Sequence, residues 1–328
     1  MKAILVDAYG GPENMRFGET DKPMPGPGEA LVKISYAGLN FIDVYMRSGL
    51  YKNSHTYAQN PPMVIGMEGA GVVEALGEGV TEVYVGQTVA YCLHLGSYAE
   101  YAVVPAWKLV PVPDDVPLEM ATTLMLQGST AHYMTHSLHA LQPGERALIH
   151  AGAGGVGQIM TQLAKAKGAE VISTVGSVEK AEISRSLGAD HVIIYTQEDF
   201  AERVAEITKG KGCNAVYDSV GIATIEGSMK STARRGTLCN YGASSGAVHS
   251  INPLDIAEAG SIFFTRPHLA DYIPNLEQRR ARANDLFELY RKGDLKLRHD
   301  RTYPLAEAAD AHRALQARET KGKVLLAV

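Results

Sequence analysis

Hydrophobic and polar positions follow two rhythms along this chain. Up to about residue 120, short apolar or alternating runs at 2–6, 29–36, 70–76, 87–91 and 97–104 are separated by turn formers. Gly10-Gly11-Pro12, the Pro/Gly stretch at 23–28 and Gly77-Glu78-Gly79 are the clearest of these. Closely spaced runs of this kind predict β-strands in a partly open barrel or sandwich. Residues 41–49 read as a short helix held in that domain, and 118–140 as a helical connection.

From Glu145 the rhythm changes. Near-continuous apolar runs at 147–150, 171–175, 191–194, 215–218, 237–241 and 261–265 alternate with helical patterns at 156–167, 178–187, 198–209 and 223–234. Apolar strands alternating with helices predict a parallel sheet covered on both faces, and six of them make one doubly wound domain. A charged helix at 275–292, a helical stretch at 306–317 and a strand at 323–328 do not extend that series. The tail is therefore expected to return to the first domain. The expected division is a discontinuous β-rich domain, 1–122 with 267–328, and an α/β domain, 123–266.

The first strand of the second rhythm runs straight into Gly152-Ala153-Gly154-Gly155-Val156-Gly157, and a helical pattern follows until Gly168. Strand, tight glycine turn and helix is the context in which G-x-G-x-x-G binds a dinucleotide. The first glycine allows the turn, the second lets backbone approach a pyrophosphate, and the third lets helix and strand pack closely. The phosphate then sits on the N–H groups and positive dipole end of the helix.

Composition adds exclusions. At 45% hydrophobic and 20% charged the chain reads as an ordinary globular protein, and a net charge of -5 gives no electrostatic case for nucleic acid. No apolar stretch matches a bilayer span, and residues 1–7 lack the apolar run of a secretory leader. Cys92, Cys213 and Cys239 are far apart with no C-x-x-C spacing, which suits a reducing cytoplasm. His132, His136 and His139 fall at i, i+4 and i+7, a spacing open to a metal ion but also to a solvated or polar helix face.

Several segments carry a resemblance. They are the run from Gly38 to Tyr51 (containing Asn40-Phe41-Ile42-Asp43, Tyr45, Arg47, Gly49 and Tyr51), Gly66-Met67-Glu68-Gly69-Ala70-Gly71, and the glycine motif. Further on stand Val216-Tyr217-Asp218-Ser219-Val220-Gly221, Tyr241-Gly242-Ala243-Ser244-Ser245-Gly246 and Thr265-Arg266-Pro267. The chain resembles, nearly end to end, the zeta-crystallin-like quinone oxidoreductases of the medium-chain dehydrogenase/reductase superfamily. The resemblance implies a GroES-like catalytic domain, a Rossmann-type domain, a cleft between them, and a homodimer joined through the nucleotide domains. Zinc-dependent members of that superfamily place a cysteine shortly before the position of Asp43 and a histidine in Gly-His-Glu. Here those stretches read Leu39-Asn40-Phe41-Ile42-Asp43 and Gly66-Met67-Glu68. Leu, Asn and Met cannot replace zinc ligands, so no metal is expected and the acceptor must already be electrophilic. Glu68 and Asp43 are expected to be buried hydrogen-bonding groups.

NADPH is the expected cofactor. About 20 residues past the glycines, where an NAD site places a carboxylate, the chain has Gly176 and Ser177 with Lys180 one helical turn on. The resemblance implies that Lys180, Tyr195 and Arg318 surround the ribose 2′-phosphate. It also implies that Ser219, Val220, Tyr241, Gly242, Ser244 and Ser245 line the nicotinamide-ribose side. Asn40, Tyr45 and Tyr51 match pocket residues, one amide donor and two phenols; Arg47 and Arg266 are weaker candidates that equally suit an exposed or interdomain ion pair. His132 stands where relatives carry Tyr. The expected function is cytoplasmic, NADPH-dependent reduction of a quinone. Its alternatives are reduction of an enone, alkenal or enoyl-thioester, or a non-catalytic NADPH-binding role, since fold does not fix function.

Overall fold

The computed structural model describes residues 1–328. They form two compact units: Met1–Ser129 with Ile273–Gly293 and Leu297–Val328, and Thr130–Tyr272 with Asp294–Lys296.

The first unit is built on a sheet whose path runs His299–Pro304, Lys323–Ala327, Glu29–Leu39, Glu68–Leu76, Thr88–Cys92, Val110–Pro111, with Tyr101–Pro105 also on Glu29–Leu39. Only the His299–Pro304 pairing is parallel. A smaller sheet joins Met15–Glu19, Lys2–Val6 and Met63–Val64. The tail strand pairs antiparallel with the long early strand, Leu325 opposite Gly38. Alternation dictates burial: Val32, Val73, Val89, Tyr91, Val104 and Leu109 pack one core, and Ile4, Val6, Leu39, Ile65, Val324 and Leu326 another. Each of the Val, Ile and Leu side chains among them contributes roughly 1.5–3 kcal/mol when fully buried.

Four strands in this unit lie outside the predicted runs: Met15–Glu19, Met63–Val64, Val110–Pro111 and His299–Pro304. They are short or polar and take their pairing from neighbours rather than from their own pattern. The helix predicted at 118–140 is interrupted twice by wide π turns, Leu124–Gly128 and Met134–Leu138.

The second unit carries six parallel strands in the spatial order His191–Ile194, Glu170–Val175, Arg146–His150, Cys213–Asp218, Thr232–Asn240, Phe263–Thr265. This is the doubly wound 3-2-1-4-5-6 arrangement of a Rossmann-type unit, so the fold is α/β, with the β-rich unit beside it in the chain as expected. Leu148, Ile172, Val216 and Leu238 from four adjacent strands are fully buried. Order reverses between the first and fourth strands, and ligands bind such sheets at the carboxyl ends there. No helix is long and apolar enough to cross a membrane.

One buried base in the first unit ties stability to pH. His312, on the Ala308–Gln316 helix, is fully buried, its Nε2 lies 3.3 Å from the Tyr98 hydroxyl, and its Nδ1 has no protein partner. Burial, with the nearby Arg47 guanidinium, pulls its pKa down to about 3. Between that value and the unfolded value near 6.5, the unfolded chain binds the extra proton, so His312 subtracts stability as pH falls. Asp43, pushed up to about 7 by burial, contributes the opposite slope over roughly pH 4 to 7. We therefore expect the stability difference between wild type and His312→Gln to change by up to ~1.4 kcal/mol per pH unit below about 6. Parallel urea-unfolding curves at pH 5 and pH 8 check it; equal differences at both values would rule it out.

Candidate active site

The glycine turn has the geometry its sequence demands. Arg146–His150 ends, Ala151 takes a left-handed φ of 53°, and the Gly155–Ala166 helix starts after Gly154 with no side-chain cap. Its first-turn N–H groups are thus left for a ligand or water. A Cβ on Gly157 would lie 2.3 Å from Ala151 O, and one on Gly152 1.8 Å from Ser173 Oγ, so both positions are closed by packing. At Gly154 a Cβ would meet only Ala151 O, at 3.1 Å, among non-neighbouring atoms that close. The middle glycine is the one whose face the protein itself does not fill, as backbone approach to a pyrophosphate requires. Ala153, Gly155 and Val156 complete the turn and the first helical residues.

At the end of the next strand no carboxylate stands. The Tyr195 hydroxyl would lie 2.9 Å from a Cβ on Gly176, so the phenol closes over the glycine. Ser177 caps the following helix, accepting from Lys180 N at 3.3 Å, and Lys180 is half-buried. Gly176, Ser177, Lys180 and Tyr195 are therefore together. Arg318 belongs to the other compact unit, exposed, with φ 61° just past the Ala308–Gln316 helix.

Two loops at the carboxyl ends of neighbouring strands are zipped together. Tyr241 N donates to Asp218 O at 2.8 Å, Ser244 N to Ser219 O at 3.3 Å, and Ser245 N and Oγ both to Val220 O at 2.8 Å. Gly242 lies so close to Ser219 that a Cβ there would meet its carbonyl oxygen at 2.2 Å. This brings Ser219, Val220, Tyr241, Gly242, Ser244 and Ser245 into one place.

Asp218 anchors the zipper from below. It is fully buried; its Oδ1 accepts from Val220 N and Gly221 N at 2.8 and 2.9 Å, and its Oδ2 from Ser228 Oγ at 2.7 Å. Ser228 Oγ also lies 3.0 Å from His150 Nε2, and His150 Nδ1 lies 2.8 Å from Thr174 Oγ1. Ser228 spends its one proton on Asp218, so His150 donates to Ser228 through Nε2, and Thr174 donates to Nδ1. Burial lowers the His150 pKa, consistent with a neutral ring. The ends of three strands that carry the loops are thus joined by one proton-ordered chain, which the sequence pattern did not single out.

In the first unit, Asn40 precedes the Phe41–Ser48 helix as its N-cap, paired with Asp43 in a capping box. Tyr45 and Tyr51 come together edge to face at 5.5 Å, and Phe41 and Tyr57 extend the aromatic group. Tyr45 is buried and Tyr51 half-buried. The Asn40 side chain is fully occupied: Nδ2 donates to Gly38 O at 3.2 Å and to Glu68 Oε2 at 2.8 Å. Its Oδ1 accepts from Lys323 Nζ at 3.1 Å and from Gln127 Nε2 at 3.2 Å. Sequence reasoning offered Asn40 as a free amide donor; the network uses both its protons.

Glu68 is the hub. It is fully buried, ion-paired with an equally buried Lys323, and its Oε1 accepts from Leu126 N at 2.6 Å within the first π turn. Asp43 is buried beside it, accepting from Asn40 N at 2.8 Å and Met67 N at 2.9 Å. Lys323 and Gln127 were missed by pattern reading. A lysine opening an otherwise apolar strand, and a lone glutamine in Leu124-Met125-Leu126-Gln127, were the available signals. Arg47 is not an exposed ion-pairing residue but is 1% exposed, donating to Gln316 Oε1 at 2.9 Å; Arg266 is half-buried.

The histidine series does not converge. His132 and His136 stack at 4.0 Å, while His139 turns to Thr237 Oγ1 at 3.0 Å and Glu145 at 3.3 Å. The break follows from the second π turn, which changes the helical phase after Tyr133. Tyr133 itself stacks on Tyr272 at 4.3 Å. No group of three or more His, Cys, Asp and Glu stands arranged to hold a metal ion.

The chain matches two sequence families: alcohol dehydrogenase GroES-like domain over residues 26–114 and zinc-binding dehydrogenase over residues 155–276. It is 44% identical over 326 residues to a quinone oxidoreductase of Pseudomonas aeruginosa, covering 99% of each. It is also 41% identical over 328 residues to a 2-haloacrylate reductase of a Burkholderia species, covering 99% of this chain and 98% of that one. Its fold superposes on the crystal structure of Escherichia coli quinone oxidoreductase complexed with NADPH with a TM-score of 0.96, at 38% identity over 100% of both chains.

The buried hub makes a quantitative prediction. Lys323→Met leaves the Glu68 carboxylate buried without its counter-ion, which should cost about 3–5 kcal/mol of unfolding free energy. Lys323→Met combined with Glu68→Gln removes both charges and should recover part of that loss. Denaturant titration of the two variants checks the pair; a single variant within about 1 kcal/mol of wild type would mean the ion pair adds little.

Proposed function

The chain belongs to the quinone oxidoreductase family of the medium-chain dehydrogenase/reductase superfamily, and on that footing we propose that it reduces quinones with NADPH. The observation that carries the cofactor choice is the Gly176 corner. There a phenol, a serine cap and a half-buried lysine gather where an NAD site would need a carboxylate. When bound, NADPH supplies a hydride to the acceptor. Gly152, Ala153, Gly154, Gly155, Val156 and Gly157 would hold its pyrophosphate. Gly176, Ser177, Lys180 and Tyr195, with Arg318, would recognise its 2′-phosphate through hydroxyls and cations. The zipped loops, through Ser219, Val220, Tyr241, Gly242, Ser244 and Ser245, would fix the nicotinamide-ribose side.

Tyr45 and Tyr51 form the reducing pocket in this reading, offering flat faces and O–H groups toward the acceptor. Asn40 shapes that pocket as a positioned wall, held by Glu68 and Lys323. The residues at the zinc-ligand positions, Leu39, Asn40 and Met67, support metal-free chemistry on an acceptor that needs no Lewis acid. We assign the catalytic domain to 1–122 with 267–328 and the nucleotide-binding domain to 123–266. Homodimerisation through the Phe263–Thr265 edge is supported by an exposed edge strand whose Phe263 is 63% exposed. Three buried free cysteines support a reducing, cytoplasmic setting.

Reduction of an activated alkene is the second reading, favoured by the likeness to the 2-haloacrylate reductase. NADPH oxidation measured against matched quinones, enals and 2-haloacrylates separates the two: we expect the best quinone to lead in kcat/KM. An alkene ahead of every quinone by more than tenfold would transfer the assignment. For the cofactor, Lys180→Ala should weaken NADPH binding by about 10- to 100-fold and leave NADH nearly unchanged, as loss of one charge-assisted hydrogen bond implies. Fluorescence titration of both nucleotides reads this; equal weakening of both would mean that Lys180 does not contact the phosphate.

A further inference from the structure

Gln127 follows from a chain of fixed orientations. Glu68, ion-paired with Lys323, presents carboxylate oxygen to Asn40, and a carboxylate only accepts. The amide nitrogen of Asn40 must therefore face Glu68 and Gly38 O, and its oxygen must face Lys323 and Gln127. That in turn requires the Gln127 nitrogen, not its oxygen, to face Asn40. The usual ambiguity between amide oxygen and nitrogen is resolved twice, starting from one charge. Gln127 Oε1 is left pointing away from the network. It is buried, with no protein partner, on a side chain only 8% exposed. A buried acceptor of this kind is ordinarily met by water or by a ligand.

We propose that Gln127 is a further ligand-contacting residue, whose Oε1 accepts a hydrogen bond from an N–H or O–H donor of a molecule bound at the reducing site. The inference rests on the NADPH:quinone reading, which supplies two donors of this chemistry. One is the carboxamide N–H of the nicotinamide. The other is the hydroxyl of the reduced acceptor: the quinone takes up a hydride, two electrons with one proton, from NADPH and one further proton from water, and becomes a diol. A quinone offers only acceptors, so Gln127 cannot serve it until it is reduced. The residue discriminates by donor content, unlike the phenols of Tyr45 and Tyr51, which can give or accept.

The test compares ligands that differ only in the donor. Dissociation constants are measured by calorimetry for NADP+ against its 3-acetylpyridine analogue, which has methyl in place of the amide nitrogen. They are measured also, with NADP+ present, for a hydroquinone against its dimethyl ether. The same four values are taken in Gln127→Met. We expect one donor-bearing ligand to bind wild type about three- to tenfold tighter than its partner, the range of one neutral hydrogen bond, and that gap to close in the variant. Closure of the nucleotide gap identifies the carboxamide; closure of the diol gap identifies the reduced acceptor. Gaps unchanged between wild type and a Gln127→Met protein that melts within a few degrees of it overturn the proposal. If that variant does not fold, Gln127→Leu is judged by the same gaps, and the absence of both gaps in wild type overturns the proposal without any variant. A wild type that turns over no quinone with NADPH would defeat the activity reading itself. Unchanged gaps in a wild type that does turn over quinones defeat only the role of Gln127.

Discussion

A carboxylate with no access to water must have each of its lone pairs met, and in this protein that requirement radiates outward from Glu68. Lys323 supplies the opposite charge, Leu126 a backbone N–H and Asn40 an amide proton. These three donors come from the last strand, from the π turn after residue 123 and from the cap of the Phe41–Ser48 helix. One buried charge thereby fixes segments more than two hundred residues apart in sequence. An apolar replacement of similar volume would often be neutral or stabilising for a buried pair, so stability alone does not explain it. What the pair provides is orientation: it determines which way Asn40 faces, and through Asn40 which way Gln127 faces.

The Rossmann-type unit solves the same problem with neutral groups. The Asp218 carboxyl group is surrounded by two backbone N–H groups of the Val220–Gly221 turn and the hydroxyls of Thr224 and Ser228. Burial lowers the pKa of its neighbour His150, which relays a hydrogen bond from Thr174 to Ser228. The turn that Asp218 shapes is the one that zips to Tyr241–Ser245, so the aspartate sets the backbone of both zipped loops. Hydrogen bonds to backbone donors are directional and hold a loop more narrowly than apolar contact does.

Much of this was legible in the chain before any coordinates. The parallel strands announced themselves because burial on both faces keeps their runs mostly apolar, and the glycine turn because its three glycines do three separate jobs. The short strands Met63–Val64 and Val110–Pro111 were not legible, since two residues carry no periodicity. The π turns at Leu124–Gly128 and Met134–Leu138 were invisible for another reason. Each shifts the phase of a helix whose sequence still reads as 3.6-fold, and the His132, His136, His139 series looked like one face only on that assumption. Lys323 and Gln127 escaped because a polar residue beside apolar ones reads equally as a strand end or a helix surface. Their partners, Glu68 and Asn40, lie 255 and 87 positions away.

The two kinds of recognition in the proposed site differ in how a sequence can encode them. In the proposed reading, selection of a phosphate at the Gly176 corner works by omission: no carboxylate stands at the strand end, and the space over the glycine is shared with the Tyr195 phenol. An omission at a known offset from the glycine motif can be read directly from the chain. Selection at Gln127 works by inheritance, since its free oxygen is defined only through Asn40, Glu68 and Lys323 in turn. The orientation of the Gln127 oxygen is therefore a property of four residues together, and the charge at Glu68 is what keeps them in one arrangement.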